Sequence, residues 1–188
     1  MNPVIDASNQ HESRANLASK ERNLSDALDA VDAKILDLIQ HDAALSVAEV
    51  AEKVGLSSSP CWRRIRRLEE AGIIQRRVTI LDRERLGLGF EVYCTAKLSL
   101  PTKENLEAFE AAALGWDEVV QCATVTGPAD FELRVVTRDM RGFDAFLRDR
   151  LLSLGLVSNI ESRIVIRSVK NTTVVPLGLI DARANGQA

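Results

Sequence analysis

Two short segments with apolar residues at helical spacing lie on either side of a glycine between residues 47 and 72. Intervals of three and four residues separate the apolar positions, a spacing typical of helices with one buried face. These positions are Val47, Val50, Ala51 and Val54 before Gly55, and Cys61, Trp62, Ile65 and Leu68 after it. The pattern predicts two helices broken at Gly55, which is a helix-turn-helix outline.

The second of these helices is predicted to carry arginines on the side opposite its apolar row. At about 100° per residue, the outer side receives Arg63, Arg64, Arg66 and Arg67, with Ser59 and Pro60 at the leading end. A row of guanidinium groups suits a helix that lies in the major groove of DNA. The alternative is an ordinary amphipathic hairpin whose basic face is solvated, with Arg66 paired to Glu70.

Local signals place the ends of these helices and predict a third. Ser46 and Glu49 have the spacing of a capping box, Ser57 or Ser58 can cap the second helix, and Gly72 suits a left-handed terminus. An amphipathic helix that ends near Gln40 is predicted upstream from Leu28, Val31, Ile35, Leu38 and Ile39. It would bury the apolar faces of the other two helices.

The segment from Ile73 to Leu81 has strand character. Arg76 and Arg77 lie within it, where a wing would contact the DNA backbone. Residues 82–86 are expected to form one helical turn, and Gly87 and Gly89 mark a hinge.

The second half of the chain alternates between strand and helix patterns. Strands are predicted at 90–100, 119–126, 131–137 and 157–169, with helices capped by Thr102 and Asp139. This βαββαβ order predicts a ferredoxin-like sandwich and an α+β fold class. Apolar strand residues are expected on both sheet faces, which favours dimerisation through the sheet; they are Val92, Cys94, Ala96 and Val135.

These patterns divide the chain into five segments. Residues 1–24 are polar and predicted to be a disordered arm. A winged helix-turn-helix domain is predicted at 25–82, a linker at 83–90, a βαββαβ oligomerisation domain at 91–177, and a tail at 178–188.

Charge is distributed unevenly along the chain. The net charge is -3, yet residues 61–86 carry eight arginines against four acids, which leaves about -7 for the rest. A basic patch on an acidic body fits a protein that binds DNA through one domain. No metal-ligand spacing, cofactor motif or apolar run of membrane-spanning length occurs, so a cytoplasmic, nucleoid-associated protein without metal or cofactor is expected.

Three segments resemble the Lrp/AsnC family of bacterial transcriptional regulators. They are LDAVDAKILDLIQHDAALSVAEVAEKVGLSSSPCWRRIRRLEEAGII, TGPADFELRV and VIRSVKNTTVVPL, and the resemblance covers about residues 28–177. It implies a winged helix-turn-helix domain, an amino-acid-binding βαββαβ domain, and homodimers that pair through their sheets and assemble further to tetramers or octamers. Amino acids would bind between neighbouring second domains.

The resemblance also implies functional residues. Double-stranded DNA would be contacted by Ser57, Ser59, Pro60, Cys61, Arg63, Arg64 and Arg67, although helical spacing places Cys61 inward. The effector loop keeps Gly127 and Asp130, while Pro128 and Ala129 replace the family's acid and aromatic residue. Further residues around the same pocket would be Thr124, Met140, Leu152, Ile164 and Val165. A carboxylate such as Asp130 can attract an ammonium group, and the amides of a glycine turn can receive a carboxylate.

Three other interpretations remain open at this stage. Some proteins with this two-domain outline resemble haem-pathway decarboxylases, but catalysis would need converging titratable groups, and His11 and His41 are the only histidines. An amino-acid sensor that acts on protein partners is the second. The third is a redox role for Cys61 near a helix N-terminus. A DNA-binding regulator with an amino acid effector is the preferred prediction, with no catalytic residues.

Overall fold

The computed structural model describes residues 28–180. They form two compact units, one made of residues 28–79 together with 171–180 and the other of residues 80–170. The predicted arm at 1–24 and most of the predicted tail lie outside the described residues. None of the helices within residues 28–180 is long and apolar enough to cross a membrane.

The first unit contains three helices, α1 (Ala30–His41), α2 (Val47–Val54) and α3 (Ser58–Glu70). The predicted capping box is present, because the Glu49 amide donates to Ser46 Oγ and the Glu49 carboxylate accepts from the Ser46 amide. Gly55 ends α2 with φ +72°, a left-handed conformation that favours glycine. The predicted helix–turn–helix therefore forms from local signals.

The three helices share one apolar core. Its buried members are Ile35, Leu36, Val50, Ala51, Cys61, Ile65 and Leu68. The inward position predicted for Cys61 is correct. The inward position predicted for Trp62 is wrong, since its side chain is 53% exposed. Trp62 lies about 100° around the helix from Cys61, which places it at the edge of the buried face.

The strand predicted from Ile73 to Leu81 does not form. Residues 75–82 have no regular secondary structure, and Val78, Ile80 and Leu81 are exposed. A strand requires a neighbouring strand to receive its backbone hydrogen bonds, and none within residues 28–180 pairs with this segment. Arg76 and Arg77 therefore lie on an exposed segment without regular secondary structure rather than on a paired wing.

The C-terminal segment 171–180 packs on the first unit, whereas the second domain was predicted to run to residue 177. The Val175 amide donates to Gln40 Oε1 at 2.9 Å, and Gln40 Nε2 donates to the Val175 carbonyl at 3.2 Å. Leu177 packs against the helical core. This contact joins residues that are 135 positions apart, and no local pattern encodes it.

Replacing Leu177 by alanine is expected to destabilise the first unit by about 1–2 kcal/mol, less than the loss at a fully buried leucine. Removal of the side chain deletes apolar contact with the core but leaves the hydrogen bonds of Gln40 intact. Amide hydrogen exchange in α1 should become faster. Leu179→Ala is the matched control, because Leu179 is exposed in the same segment; equal effects of the two changes would contradict the packing role of Leu177.

The second unit contains a four-stranded antiparallel sheet and two helical segments. They are β1 (Phe90–Leu98), α4 (Lys103–Leu114), β2 (Val119–Thr124), β3 (Phe131–Thr137), α5 (Met140–Phe146, continued by a π-helical segment Leu147–Leu152) and β4 (Val157–Ile164). The strand order is β2-β3-β1-β4. This confirms the βαββαβ prediction, including the caps at Thr102 and Asp139. β4 ends five residues earlier than predicted, and Ile166 is fully exposed.

Both helical segments pack on one face of the sheet, where the core lies. Val92, Cys94 and Ala96 alternate with outward residues of β1 and are buried there, and Val135 pairs directly with Val92. The prediction that these residues make both faces apolar is wrong, because residues two apart share a face. The other face is polar and charged; it carries Tyr93, Thr95, Lys97, Gln121, Glu132, Arg134, Asn159, Glu161 and Arg163.

A buried carboxylate attaches the segment before β1 to the sheet. Glu91 is 3% exposed, and it accepts hydrogen bonds from Arg83 Nη2 and from Arg134 Nε. The Leu88 amide also donates to the Arg83 carbonyl at 2.8 Å, within the turn of residues 83–87. Part of the predicted 83–90 linker is thus fixed to the second unit.

Candidate nucleic-acid interface and effector site

The N-terminal half of α3 forms an open basic depression. A cavity of about 320 Å³ is lined by Pro60, Arg63, Arg64 and Arg67. Ser57 precedes the helix as its N-cap residue, and both Ser57 and Ser59 are exposed beside the depression's lining residues.

Two of the four predicted arginines are bound by acids of α1. Arg64 Nη1 donates to Asp29 Oδ2 at 2.6 Å and to Asp32 Oδ1 at 2.9 Å. Arg67 Nη2 donates to Asp32 Oδ2. The basic face therefore carries its own counterions, which the helical pattern of α3 alone did not reveal.

Arg66 lies farther along the outer side of α3, among the acids of its own last turn. Its guanidinium is 3.2 Å from Glu69 and 3.8 Å from Glu70, so the pairing with Glu70 considered from the sequence is present. Arg77 also reaches Glu69, at 3.5 Å. By contrast, no acid among residues 28–180 lies within ion-pair distance of Arg63 or Arg76, and both side chains are exposed.

Electrostatics near α3 follow from these contacts. The pKa of the Asp29 carboxyl is lowered, first by the hydrogen bond from the Asp32 amide and then by that from Arg64. The pKa of Arg64 is raised mainly by its hydrogen bond to Asp29. Burial raises the pKa of the Cys61 thiol, which opposes the redox role considered for it, because the thiolate is the reactive form.

The predicted effector residues divide into two groups at opposite ends of the sheet. One group lies at the β2–β3 hairpin and the end of β1; it comprises Thr124, Gly127 and Asp130. Leu152 lies five residues before Val157, which pairs with Leu98 at this same end. The other group is Met140, Ile164 and Val165, near the start of β1, where Val92 pairs with Ile164 and the Val165 amide donates to the Glu91 carbonyl.

The distance between the two groups follows from the strand geometry. Ala96 pairs with Phe131 next to Asp130, and Val92 pairs with Ile164. Four residues of strand span about 13–14 Å. One chain therefore does not bring the predicted residues into a single small-molecule pocket.

Asp130 has a structural role in addition to any ligand contact. Its Oδ2 accepts a hydrogen bond from the Leu98 amide at 2.8 Å, and its own amide donates to the Ala96 carbonyl at 3.0 Å. No donor from the described part of the chain contacts Oδ1. Gly127, at the turn, has φ +121°, a conformation that side-chain-bearing residues rarely adopt.

Among the thiols of the second unit, Cys122 lies near the group formed by Thr124, Gly127 and Asp130. Cys122 is exposed to solvent, yet desolvation by neighbouring atoms and then the nearby Glu110 carboxylate raise the pKa of its thiol to about 11. Thr124 Oγ1 donates to the same Glu110 at 3.4 Å. Cys122 is thus a protonated thiol at neutral pH, and a metal-holding group of His, Cys, Asp and Glu side chains is absent from residues 28–180.

Comparison with protein families assigns both units. Residues 28–75 match the winged helix-turn-helix DNA-binding family, and residues 91–175 match the Lrp/AsnC ligand binding domain. The chain belongs to the Lrp/AsnC family of transcriptional regulators. It carries the α+β fold that its sequence predicted, with the helix-turn-helix domain preceding the ligand-binding domain.

Curated Lrp/AsnC relatives align over nearly their whole length. The Bkd operon transcriptional regulator of Pseudomonas aeruginosa is 39% identical over 150 residues, which cover 80% of this chain and 98% of that protein. The glutamate uptake regulatory protein of Zymomonas mobilis is 34% identical over 161 residues, 86% of this chain and 98% of that protein. The leucine-responsive regulatory protein of Rhizobium meliloti is 35% identical over 150 residues, 80% and 96% of the two chains.

Solved Lrp/AsnC structures share the fold. A transcriptional regulator of Neisseria meningitidis, solved as its L-Met complex, is 36% identical with a TM-score of 0.78, and the alignment covers 81% of this chain and 99% of that chain. An AsnC family regulator of Agrobacterium tumefaciens is also 36% identical, with a TM-score of 0.77 and coverage of 81% and 99%. These similarities favour a regulator over the decarboxylase-like enzyme considered from the sequence.

Sequence reasoning about this Lrp/AsnC chain missed two groups of residues that hold arginines. These residues are Asp29 and Asp32, which contact α3, and Glu91 in the second unit. The spacing of Asp29 and Asp32 is that of a capping box, which gives each acid a local explanation. Their contacts with α3 bridge 32 to 35 residues, so only the tertiary structure reveals them.

Proposed function

We propose that this regulator binds promoter DNA by inserting α3 into the major groove, with the basic depression facing the DNA. The observation that carries the proposal is the cavity lined by Pro60, Arg63, Arg64 and Arg67. Ser57, Ser59 and Arg66 would contact DNA beside it, and Arg76 and Arg77 would contact the DNA backbone from their exposed segment. Arginine contacts of this kind supply both phosphate binding and base recognition.

The active species in this proposal is a homodimer that assembles further to a tetramer or octamer. Two α3 helices would then enter successive major grooves about 34 Å apart. The open sheet face is the proposed dimer surface, as the family resemblance implies. Because this face carries Lys97 and Arg163 as well as Glu132 and Glu161, pairing through it would rely on hydrogen bonds and ion pairs, in contrast to the apolar contact expected from the sequence.

The effector proposed here is an amino acid that binds between neighbouring second domains. Relatives are named for leucine or for glutamate uptake, and one solved relative contains L-Met. A shared site would also explain why one chain keeps Asp130 and Ile164 at opposite ends of its sheet. The two groups from different chains could face one another, with Asp130 Oδ1 available to an ammonium group. Such a ligand would change the spacing of the α3 pairs only if it binds the two arrangements with different affinity.

DNA binding by the full chain tests the first part of this proposal. Fluorescence anisotropy with the duplex upstream of the protein's own gene should show an affinity that falls steeply with salt. For six to ten phosphate contacts the loss is about 10³- to 10⁵-fold between 50 and 200 mM salt. An affinity that is insensitive to salt, or absent at low salt, would refute the DNA-binding role.

The amino-acid proposal is tested by a thermal-shift screen of the twenty amino acids with wild type, Asp130→Asn and Asp130→Ala. An effector should raise the wild-type melting temperature by several degrees. Asp130→Asn keeps an acceptor for the Leu98 amide but removes the charge, so its unliganded stability should stay near wild type while the effector shift disappears. Asp130→Ala should lose both stability and the shift. A full shift in Asp130→Asn would exclude Asp130 from the effector site.

We also propose that the protein has no catalytic role and works at the nucleoid in the cytoplasm. Membership of a family of transcriptional regulators supports this. His41, the one histidine among residues 28–180, is exposed, and its Nδ1 lies 2.7 Å from the Asp37 carbonyl. An interaction module without DNA binding would retain an effector shift but fail the anisotropy test.

A further inference from the structure

Asp32 is a carboxylate without solvent exposure, and three donors surround it. Arg64 Nη1 donates to its Oδ1 at 2.9 Å, Arg67 Nη2 donates to Oδ2, and the Asp29 amide donates to Oδ2 at 3.3 Å. Asp29 adds a second contact with Arg64, at 2.6 Å. Both oxygens of Asp32 are therefore satisfied by groups that belong to the DNA-facing helix or to the cap of α1.

Stability alone does not account for this arrangement. Removing a carboxylate from water is costly, and apolar side chains of similar volume at such positions often leave a protein equally or more stable. Asp32 projects from α1, whose other buried residues Ile35 and Leu36 are apolar. An acid in this position is explained better by what it does to the two arginines.

We infer that Asp32 is a positioning residue for DNA recognition, which holds Arg64 and Arg67 in place before DNA arrives. The inference rests on the proposed role of α3. Arginine has five N–H donors in a planar fork, and the contacts above occupy one terminal nitrogen of each guanidinium. The other nitrogens donate to no group in residues 28–180, so they remain available to phosphate oxygens or base edges.

Pairing Arg64 and Arg67 with acids weakens their long-range attraction of DNA but favours directional contacts once DNA is bound. Arg64 and Arg67 together with Asp29 and Asp32 have no net charge, so these arginines add little to long-range attraction of DNA. They contribute directional hydrogen bonds from side chains that are already ordered. Ordering a flexible side chain on binding costs about two- to tenfold in affinity, and that cost is avoided here for two side chains.

The variant Asp32→Asn distinguishes a positioning role of Asp32 from a purely electrostatic effect of its charge. The variant is nearly isosteric and one unit more positive, so charge alone would tighten binding to every DNA sequence. If Asp32 positions the two arginines, its replacement should instead weaken binding to the DNA sequence that the protein recognises. With a duplex selected by the wild-type protein from a random pool, we expect Asp32→Asn to bind about tenfold more weakly, while an unrelated duplex of the same length is bound equally well or more tightly. An unchanged or increased ratio of specific to non-specific affinity would overturn the inference.

Asp37→Asn is the matched control. Asp37 is an exposed acid on the same helix, where it contacts His41, and its replacement changes the net charge by the same amount as Asp32→Asn. This variant should leave the ratio of specific to non-specific DNA affinity unchanged. Asp29→Asn retains an N-capping side chain and should have an intermediate effect. Retained binding to the unrelated duplex shows that each variant is folded.

A second measurement does not depend on any variant. Nitrogen-15 relaxation of the arginine Nε–H groups in the DNA-free wild-type protein should show Arg64 and Arg67 ordered and Arg63 mobile. Equal mobility of all three would overturn the inference even if Asp32→Asn did not fold. If the wild-type protein bound DNA without sequence preference or salt dependence, the proposed function would fail, while this measurement would still report whether Asp32 orders the arginines.

Discussion

Replacing Arg63 and Arg76 together by alanine is expected to weaken DNA binding by about 2–4 kcal/mol, or about 30- to 1,000-fold. Both side chains are exposed and lie beyond ion-pair distance of every acid in residues 28–180, so their charge is available to phosphates. Removing these two side chains leaves no buried carboxylate without a partner. Removing Arg64 or Arg67 would do so, because both contact Asp32. Anisotropy titrations over a range of salt concentrations should also give a slope of log K against log salt that is smaller by about two.

The control for this variant is Arg138→Ala with Arg141→Ala. Both arginines are exposed on the second unit, and their loss changes the net charge by the same amount. If DNA binding depends on total charge alone, the two double variants will be equally weak. If α3 and the segment after it form the interface, the control will bind within about threefold of wild type, since isolated exposed charges contribute little. Equal losses would contradict the proposed interface.

Phe131→Ala is expected to destabilise the second unit by about 3–5 kcal/mol. Phe131 has no solvent exposure, and its ring stacks on Phe109 with centroids 4.2 Å apart. Truncation leaves a cavity between the sheet and α4 and removes the aromatic contact. Urea denaturation monitored through Trp116, which packs edge-on against Phe109, should report the loss as a lower midpoint at an unchanged slope.

Leu114→Ala serves as the comparison for Phe131→Ala. Leu114 is the last residue of α4 and is exposed, so its truncation should change stability by no more than about 0.5 kcal/mol. A loss below about 1 kcal/mol at Phe131 would mean that this ring does not belong to the core of the unit. Because the residues proposed to face DNA lie in the other unit, DNA binding at temperatures below the transition should be retained in both variants.

Signals that depend on neighbours in sequence were sufficient for much of this fold. The capping box of Ser46 and Glu49, the break at Gly55 and the caps at Thr102 and Asp139 are all set by residues within a few positions of one another. Alternating strand and helix patterns likewise predicted the βαββαβ order. In each of these cases the sequence contains both partners of the deciding interaction within one turn or one strand.

Predictions that required knowledge of distant partners were wrong or incomplete. The apolar segment 73–81 has β-branched residues but lacks a neighbouring strand. The open sheet face was misassigned, although counting by twos from Val92 places Cys94 and Ala96 on the same side. Two of the predicted DNA-binding arginines are paired with acids of α1, and Trp62 lies at the rim of the helix core. For the effector site, the sequence identified residues at both ends of the sheet but not the distance between them.

The packing of residues 171–180 on α1 joins parts of the chain that are synthesised at different times. The helices of the DNA-binding unit are synthesised first, and residues 80–170 follow before the segment that contains Val175 and Leu177. At about 5–20 residues per second, roughly 5–20 s separate the synthesis of α3 from that of Leu177, which packs against the helical core. The helices of this unit therefore gain their contact with residues 171–180 only after the whole second unit has been translated.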